Sequence, residues 1–390
     1  MKFIHAADLH LDTPFANIKN FSKQLQNDLR RSTYTAATKV FDTAIKEKVD
    51  FVILAGDTYD NTDRSLNAQD FLKNQFLHLK ENDIKVYLIY GNHDYYRNDF
   101  STIDFPENVF IFHDQPETFE LTTHDGKKVG LTGFSYYQRH IDQQVINDYP
   151  IRGNFDYQIG ILHGGIGDNN YAPFTVPELI AKGYDYWALG HIHKRQILNQ
   201  NPYVIYPGDT QGRNPNETGQ KGFYLVTVLN QQTTLDFIPS SSYLFEQKRI
   251  VAQSSDNLAS LTTEIGRQLE VDVPTLFTYQ VESAQVLDQE VVAAIQRGDL
   301  IQHFERQQSN GYLYQLKLKF SQTKQLQEID AKYWQDSAKQ VFDLDDIKDL
   351  DAKLYSIDVI REHLNDPDFL DEIKDQTINL INQQFIGDKQ

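Results

Sequence analysis

Five short apolar runs in this chain each stop at residue types that bind metal ions. Lys2 to Ala6 leads to Asp8-Leu9-His10, Phe51 to Ala55 to Gly56-Asp57, and Val86 to Tyr90 to Gly91-Asn92-His93-Asp94. Gln158 to Leu162 leads to His163-Gly164-Gly165, and Tyr186 to Leu189 to Gly190-His191-Ile192-His193. Runs this short, apolar at nearly every position and bounded by glycine turns, read as strands buried on both faces. In open α/β sheets, sites form where strands end at the carboxyl edge. The pattern therefore predicts five strands that deliver their polar residues to one edge.

Up to about Phe237 such strands alternate with amphipathic stretches, Ser32 to Glu47 and Leu66 to Glu81 among them, an α/β arrangement. Asn230 to Thr234 reads as a hairpin turn between strands Gly222 to Leu229 and Leu235 to Pro239. After Ser240-Ser241-Ser242 the ligand-type residues stop. The next block reads as strand Tyr243 to Val251, helix Asn257 to Leu269, strand Thr275 to Val281, helix Asp288 to Gln296 and strand Tyr312 to Phe320, a small α/β unit. From about Gln325 the pattern is helical, with Asp366-Pro367 as a cap and first turn. The expected division is 1–240, 241–324 and 325–390.

With 390 residues the chain can bury a sizeable core without covalent staples. It contains 0 cysteines, which excludes disulfides, thiolate metal sites and cysteine nucleophiles, so a transition metal would need His, Asp, Glu or Asn. No apolar run approaches the ~20 residues of a membrane helix, and Met1-Lys2-Phe3-Ile4-His5 runs straight into ligand-bearing residues; a cytoplasmic protein is expected. The net charge of −18 argues against broad adhesion to polyanions. Half of that excess lies in Gln325 to Gln390, with 7 Lys and Arg against 16 Asp and Glu.

Asp8, His10, Asp57, Asn92, His163, His191 and His193 are the candidate ligands. Carboxylates mixed with imidazoles and one amide suit Mn²⁺ best, with Fe or Zn²⁺ as the other fits, and Ca²⁺ poorly. Seven ligands exceed what one ion needs and fit two divalent ions sharing a carboxylate. Two ions ~3.5–4 Å apart clamp a phosphoryl group and lower the pKa of a water between them, which makes phosphoester hydrolysis the natural chemistry.

In order, these blocks follow D-x-H, G-D, G-N-H-[DE], H and G-H-x-H, and over roughly residues 1 to 237 the chain resembles the calcineurin-like metallophosphoesterases. The resemblance implies a two-sheet α/β sandwich flanked by helices. It implies that Asp8, His10, Asp57 and His193 hold one ion and Asp57, Asn92, His163 and His191 the other. His93 would protonate the leaving oxygen or stabilise the transition state, oriented by Asp94. The stretches His5 to Pro14 and Tyr206 to Gly222 are similar to the YhaO-type DNA repair exonucleases, relatives of SbcD. That branch implies a DNA substrate, a capping domain at 241–324 and a C-terminal segment that binds an SMC-like ATPase of SbcC type; a homodimer is compatible with it. One departure stands out: related nucleases often carry a second catalytic His three residues after the G-D aspartate, where this chain has Asp60.

Blander roles stand beside these. His5, His78, His113, His124, His140, His303 and His363 read as surface or packing residues, with His5 beside the site. Arg213 and Lys221 suit phosphate contact as well as they suit a loop shaped by glycines, and Tyr95-Tyr96 and Tyr136-Tyr137 read as core before base-stacking platforms. Gly164-Gly165-Ile166-Gly167 lacks a following Gly-Lys-Ser/Thr and reads as a turn. A small-molecule phosphodiesterase or phosphatase would use the same ions, and a module that recruits an ATPase would keep the fold.

Overall fold

A computed structural model describes residues 1–15, 18, 21–62, 64–96, 103–167, 170–230, 232–305 and 309–320. The expected helical tail at 325–390, with Asp366-Pro367, lies outside the described residues. Strands β1 (Lys2–Ala6), β2 (Phe51–Ala55), β3 (Lys85–Ile89) and β4 (Val109–Ile111) run parallel to one another, with α1 (Lys23–Glu47) and α2 (Leu66–Glu81) as crossovers. Then follow β5 (Glu117–Thr122), β6 (Lys128–Gly133), β7 (Tyr157–His163), α3 (Val176–Ala181), β8 (Tyr186–Gly190), β9 (Gln196–Gln200) and β10 (Tyr203–Tyr206). The hairpin β11 (Gly222–Leu229) and β12 (Gln232–Pro239) closes this part. One six-stranded sheet has the order β12-β11-β1-β2-β3-β4, the other β5-β6-β7-β8-β10-β9, and both are mixed.

The sandwich explains why the central strands carry apolar residues at successive positions. Phe3, Phe51, Ile53, Tyr87 and Ile89 point between the sheets and meet Leu131, Ile159, Ile161 and Tyr186. The alternate residues Ile4, Val52, Leu54, Val86 and Leu88 meet Val40, Phe41, Leu72 and Phe76 of the helices. On the far face of the second sheet, Leu162, Trp187 and Leu189 are covered by Tyr149 and Leu179. Both faces are buried, so no polar alternation survives.

Contrary to the expectation of a single edge, the ligand-bearing strands are divided between the sheets. β1, β2 and β3 belong to the first sheet, β7 and β8 to the second, and their carboxyl ends converge across the sandwich. Further corrections concern element ends. Helix α1 begins nine residues before Ser32, at Lys23, where the Ser22 hydroxyl accepts the Leu25 amide at 3.2 Å. β12 begins at Gln232, with Thr233 and Thr234 paired to Val228 and Thr227 and not in a turn.

A third sheet has the order β13 (Leu244–Val251), β14 (Thr275–Glu282), β15 (Gly311–Lys319), with helices α4 (Leu258–Gln268), α5 (Gln289–Gln296) and α6 (Asp299–Phe304). The described residues divide into two compact units, one of 1–249, 257–280 and 293–317, the other including 250–256, 281–292 and 318–320. Within the first, Phe245, Leu276 and Tyr314 pack with Phe15, Ile18, Phe21, Leu25 and Leu29. Within the second, the Ala252 amide donates to the Glu282 carbonyl at 2.9 Å. No helix among the described residues is long and apolar enough to cross a membrane.

Candidate metal centre

All seven candidate ligands come together at the converging strand ends. Asp8 and His10 follow β1, Asp57 follows β2 and Asn92 follows β3, while His163 ends β7 and His191 and His193 follow β8. The loops are sharply bent: φ is +52° at Asp8, +44° at His10, +48° at Asp57 and +102° at His191, a region that non-glycine residues avoid. Such residues cost of order 1–3 kcal/mol each and persist only where the surroundings fix them. Here the Asp8 amide donates to the Gly56 carbonyl at 3.1 Å and the His10 amide to the Asp57 carbonyl at 3.0 Å. The His191 amide donates to the Asp8 carboxylate at 3.1 and 3.2 Å. Crowding also selects glycine at 91, where a Cβ would overlap the Asp57 carboxylate and the His163 ring.

Two sets of donors result. Asp8, His10 and His193 offer ligand atoms within 4.8 Å of one another, and so do Asp8, Asp57 and His163. The Nε2 atoms of His10 and His193 face each other at 3.2 Å. Two imidazole lone pairs repel at that distance unless a proton or a cation lies between them. His163 donates through Nδ1 to the Ala55 carbonyl at 3.0 Å, which turns Nε2 toward Asn92 Oδ1 at 3.0 Å and Asp57 Oδ2 at 3.3 Å. His191 Nδ1 lies 3.1 Å from the same Asn92 oxygen. Burial opposes charge on His163, yet the Asp57 and Asp8 carboxylates push its pKa up to about 9. Burial also opposes charge on Asp57, but the His163 and His93 imidazoles hold it well below the usual carboxylate range. The site thus gathers carboxylate charge around positions where a cation belongs, and its donors fit divalent metal ions.

His93 is half-buried, and its ring meets that of His10 edge-on, centroids 4.9 Å apart. Its Nδ1 lies 2.9 Å from the Asp60 carbonyl. A carbonyl only accepts, so Nδ1 carries a proton and Nε2 is the atom left for chemistry. Its amide donates to Asp57 Oδ1 at 3.0 Å. Asp94, expected to orient His93, is a correction: its carboxylate accepts the amides of Gly91 at 2.7 Å, Thr58 at 2.8 Å and Tyr59 at 3.2 Å. Asp94 ties the loop after β3 to the loop after β2, and the ring of His93 is oriented by the Asp60 backbone.

Sequence reasoning missed the groups behind His193. Glu217 Oε1 lies 2.8 Å from His193 Nδ1. Arg213, half expected to meet phosphate, is instead buried between Asp60 at 2.9 Å and Glu217 at 3.2 Å. Lys221 is taken up by Asp209 at 2.9 Å and the His193 carbonyl at 3.0 Å. Burial pushes Asp209 up to about 7. The available signal was four charged residues, Asp209, Arg213, Glu217 and Lys221, at intervals of four in a stretch rich in Gly and Pro, a density of charge that a buried loop tolerates only when paired. Of the remaining expectations, His5 is buried beside the site, donating from Nε2 to the Leu189 carbonyl at 3.0 Å and accepting from the Tyr186 hydroxyl at 3.0 Å, and burial lowers its pKa to about 3. Tyr136 is core, its ring edge-on to His163, whereas Tyr137 is exposed.

Residues 1–195 match the family described as calcineurin-like phosphoesterase. The chain is similar to the protein named uncharacterized metallophosphoesterase YhaO of Bacillus subtilis, 41% identical over 267 residues that cover 67% of this chain and 65% of that protein. It is 27% identical to the DNA double-strand break repair protein Mre11 of Methanocaldococcus jannaschii, over 58% of this chain and 62% of that protein. It is 26% identical to the SbcD component of the nuclease SbcCD of Staphylococcus saprophyticus, over 61% of this chain and 69% of that protein. The match thus spans less than two thirds of the length of the first two relatives.

Proposed function

The chain belongs to the calcineurin-like phosphoesterase family, and from that premise we propose that it is a two-metal phosphodiesterase acting on DNA, as an exonuclease or endonuclease in repair. The observation that carries the reading is the convergence of seven donors from two sheets, with the His10 and His193 nitrogens face to face at 3.2 Å. Asp8, His10, Asp57 and His193 would hold one ion and Asp57, Asn92, His163 and His191 the other, with Asp57 serving both. Mn²⁺ suits these donors best. When bound, the ions would polarise the phosphoryl oxygens and bring a water near ionisation at neutral pH. The chain's own groups orient the site and move protons. With Nδ1 fixed on the Asp60 carbonyl, protonated His93 donates from Nε2 to the leaving oxygen and becomes neutral.

DNA as substrate is supported by what the relatives are named for, double-strand break repair in one case and nuclease activity in another. The acidic chain offers little positive surface of its own. Arg213 and Lys221 are already paired with carboxylates, and Arg195 stacks on Phe237 at 3.8 Å. Attraction for phosphates then rests on the ions, on exposed Lys194 and on a partner. An SMC-like ATPase of SbcC type docking on 325–390 is that partner, 241–324 is the segment that caps the substrate, and the cytoplasm is the compartment.

The test is incubation of the full chain with Mn²⁺ and defined single-stranded, double-stranded and hairpin DNA, beside bis(p-nitrophenyl) phosphate. Metal-dependent DNA cleavage that weakens steeply as salt rises is the expected result. Robust hydrolysis of the small diester with every DNA form left intact would transfer the reading to a small-molecule phosphodiesterase.

A further inference from the structure

We propose that Asp60, Arg213 and Glu217 form a buried clamp that makes the two metal positions unequal, so that the position of His10 and His193 fills first and holds its ion more tightly. The inference rests on the two-ion reading above and concerns what lies behind the ligands. Each of these two histidines turns Nε2 inward and Nδ1 outward. Behind His193, Nδ1 meets Glu217 Oε1 at 2.8 Å, with Arg213 Nη2 3.0 Å from the same nitrogen. Behind His10, Nδ1 lies 3.3 Å from Asp60 Oδ1. Arg213 joins the two carboxylates through Nη1 on Asp60 at 2.9 Å and Nη2 on Glu217 at 3.2 Å, and its own amide donates to Glu217 Oε2 at 2.6 Å. Thr13 completes the Asp60 end, its hydroxyl donating to Oδ1 at 2.6 Å.

The clamp carries two negative charges and one positive, a net negative charge behind the two ligands even with the Arg213 guanidinium against His193. Its members are nearly sealed from water, with side-chain exposures of 11% for Arg213, 16% for Asp60 and 8% for Glu217. A carboxylate behind a ligating imidazole fixes the ring's tautomer and raises the basicity of the inward nitrogen. The other position lacks this at His163, whose outward nitrogen rests on the neutral Ala55 carbonyl. This also gives Asp60 a role. It stands where related nucleases carry a histidine, and here its carboxylate is held by Arg213 and Thr13 beside His10. It is a positioning residue for His10, and its backbone carbonyl does the same for His93.

The experiment is calorimetric titration of the full chain, freed of metal, with Mn²⁺ alone. Two unequal binding steps are expected, and Glu217→Gln should weaken the tighter step by roughly 10–100-fold, the usual effect of losing such an outer partner, while leaving the weaker step in place. Asp60→Asn should act on the same step. It keeps an oxygen for Thr13, so it carries the test if Glu217→Gln fails to fold, as judged by melting in chelator. Two steps of equal affinity, or a variant that weakens the step assigned to Asn92, His163 and His191, overturn the clamp while leaving the two-ion reading intact. Binding of one ion or none by the unaltered chain overturns the two-ion reading, and the clamp with it.

Discussion

Replacing Asp94 with Ala separates a structural anchor from a catalytic group. The buried carboxylate accepts three amides, from Gly91 at 2.7 Å, Thr58 at 2.8 Å and Tyr59 at 3.2 Å. Hydrogen bonds to a charged group contribute roughly 1.5–3 kcal/mol each, so the gross loss is on the order of 4.5–9 kcal/mol. Burial of the charge offsets part of this: desolvation and the nearby Asp57 push Asp94 up to about 6, which shows that its ionised form is held against resistance. A net loss of about 3–5 kcal/mol remains. For a folded unit this large, roughly 2 °C per kcal/mol gives a fall in Tm of about 6–10 °C. Asp94→Asn keeps one carbonyl oxygen for Thr58 and Tyr59 but turns an NH₂ toward the Gly91 amide, and should lose about half as much. Melting is measured in chelator, so that metal binding does not contribute to the difference. An unchanged Tm for Asp94→Ala would refute the anchoring argument. Activity abolished in Asp94→Asn at full stability would return Asp94 to the chemistry of His93.

Three further outcomes are expected. Asp57→Asn should remove nearly all activity and at least one bound ion, because the carboxylate lies 3.3 Å from His163 Nε2 and 3.7 Å from His10 Nε2; metal analysis that finds two ions in the variant contradicts this. His93→Ala should retain both ions while kcat falls roughly 10²–10⁴-fold, the range of general acid–base assistance, and a collapse of metal content would make His93 a ligand. A chain ending near Thr323 should keep metal-dependent hydrolysis and lose co-purification with an SbcC-type ATPase; loss of the cooperative melt on truncation would instead make the tail part of the fold.

What is legible in the sequence, and what is not, follows from how each residue is positioned. β1, β2, β3, β7 and β8 stand out because burial on both faces demands unbroken apolar runs, and the ligands do because they sit immediately beyond those runs. The edge strands β5 and β9 do not: Glu117, Glu120, Gln196, Asn199 and Gln200 are partly or fully exposed, so no unbroken apolar run marks them. Asp94 misleads because adjacency in sequence is not contact in space. Its side chain turns back to the amide of Gly91, three residues earlier, and His93 finds its partner at Asp60, 33 residues away. Glu217 and Arg213 are illegible for a related reason. They reach the site only after β11 pairs antiparallel with β1 and the loop before it closes over His193. Ligand identity is therefore written locally, at strand ends, while ligand tuning depends on the closed fold. Two chains with the same five motifs but different residues at 60, 213 and 217 should share the reaction and differ in metal affinity.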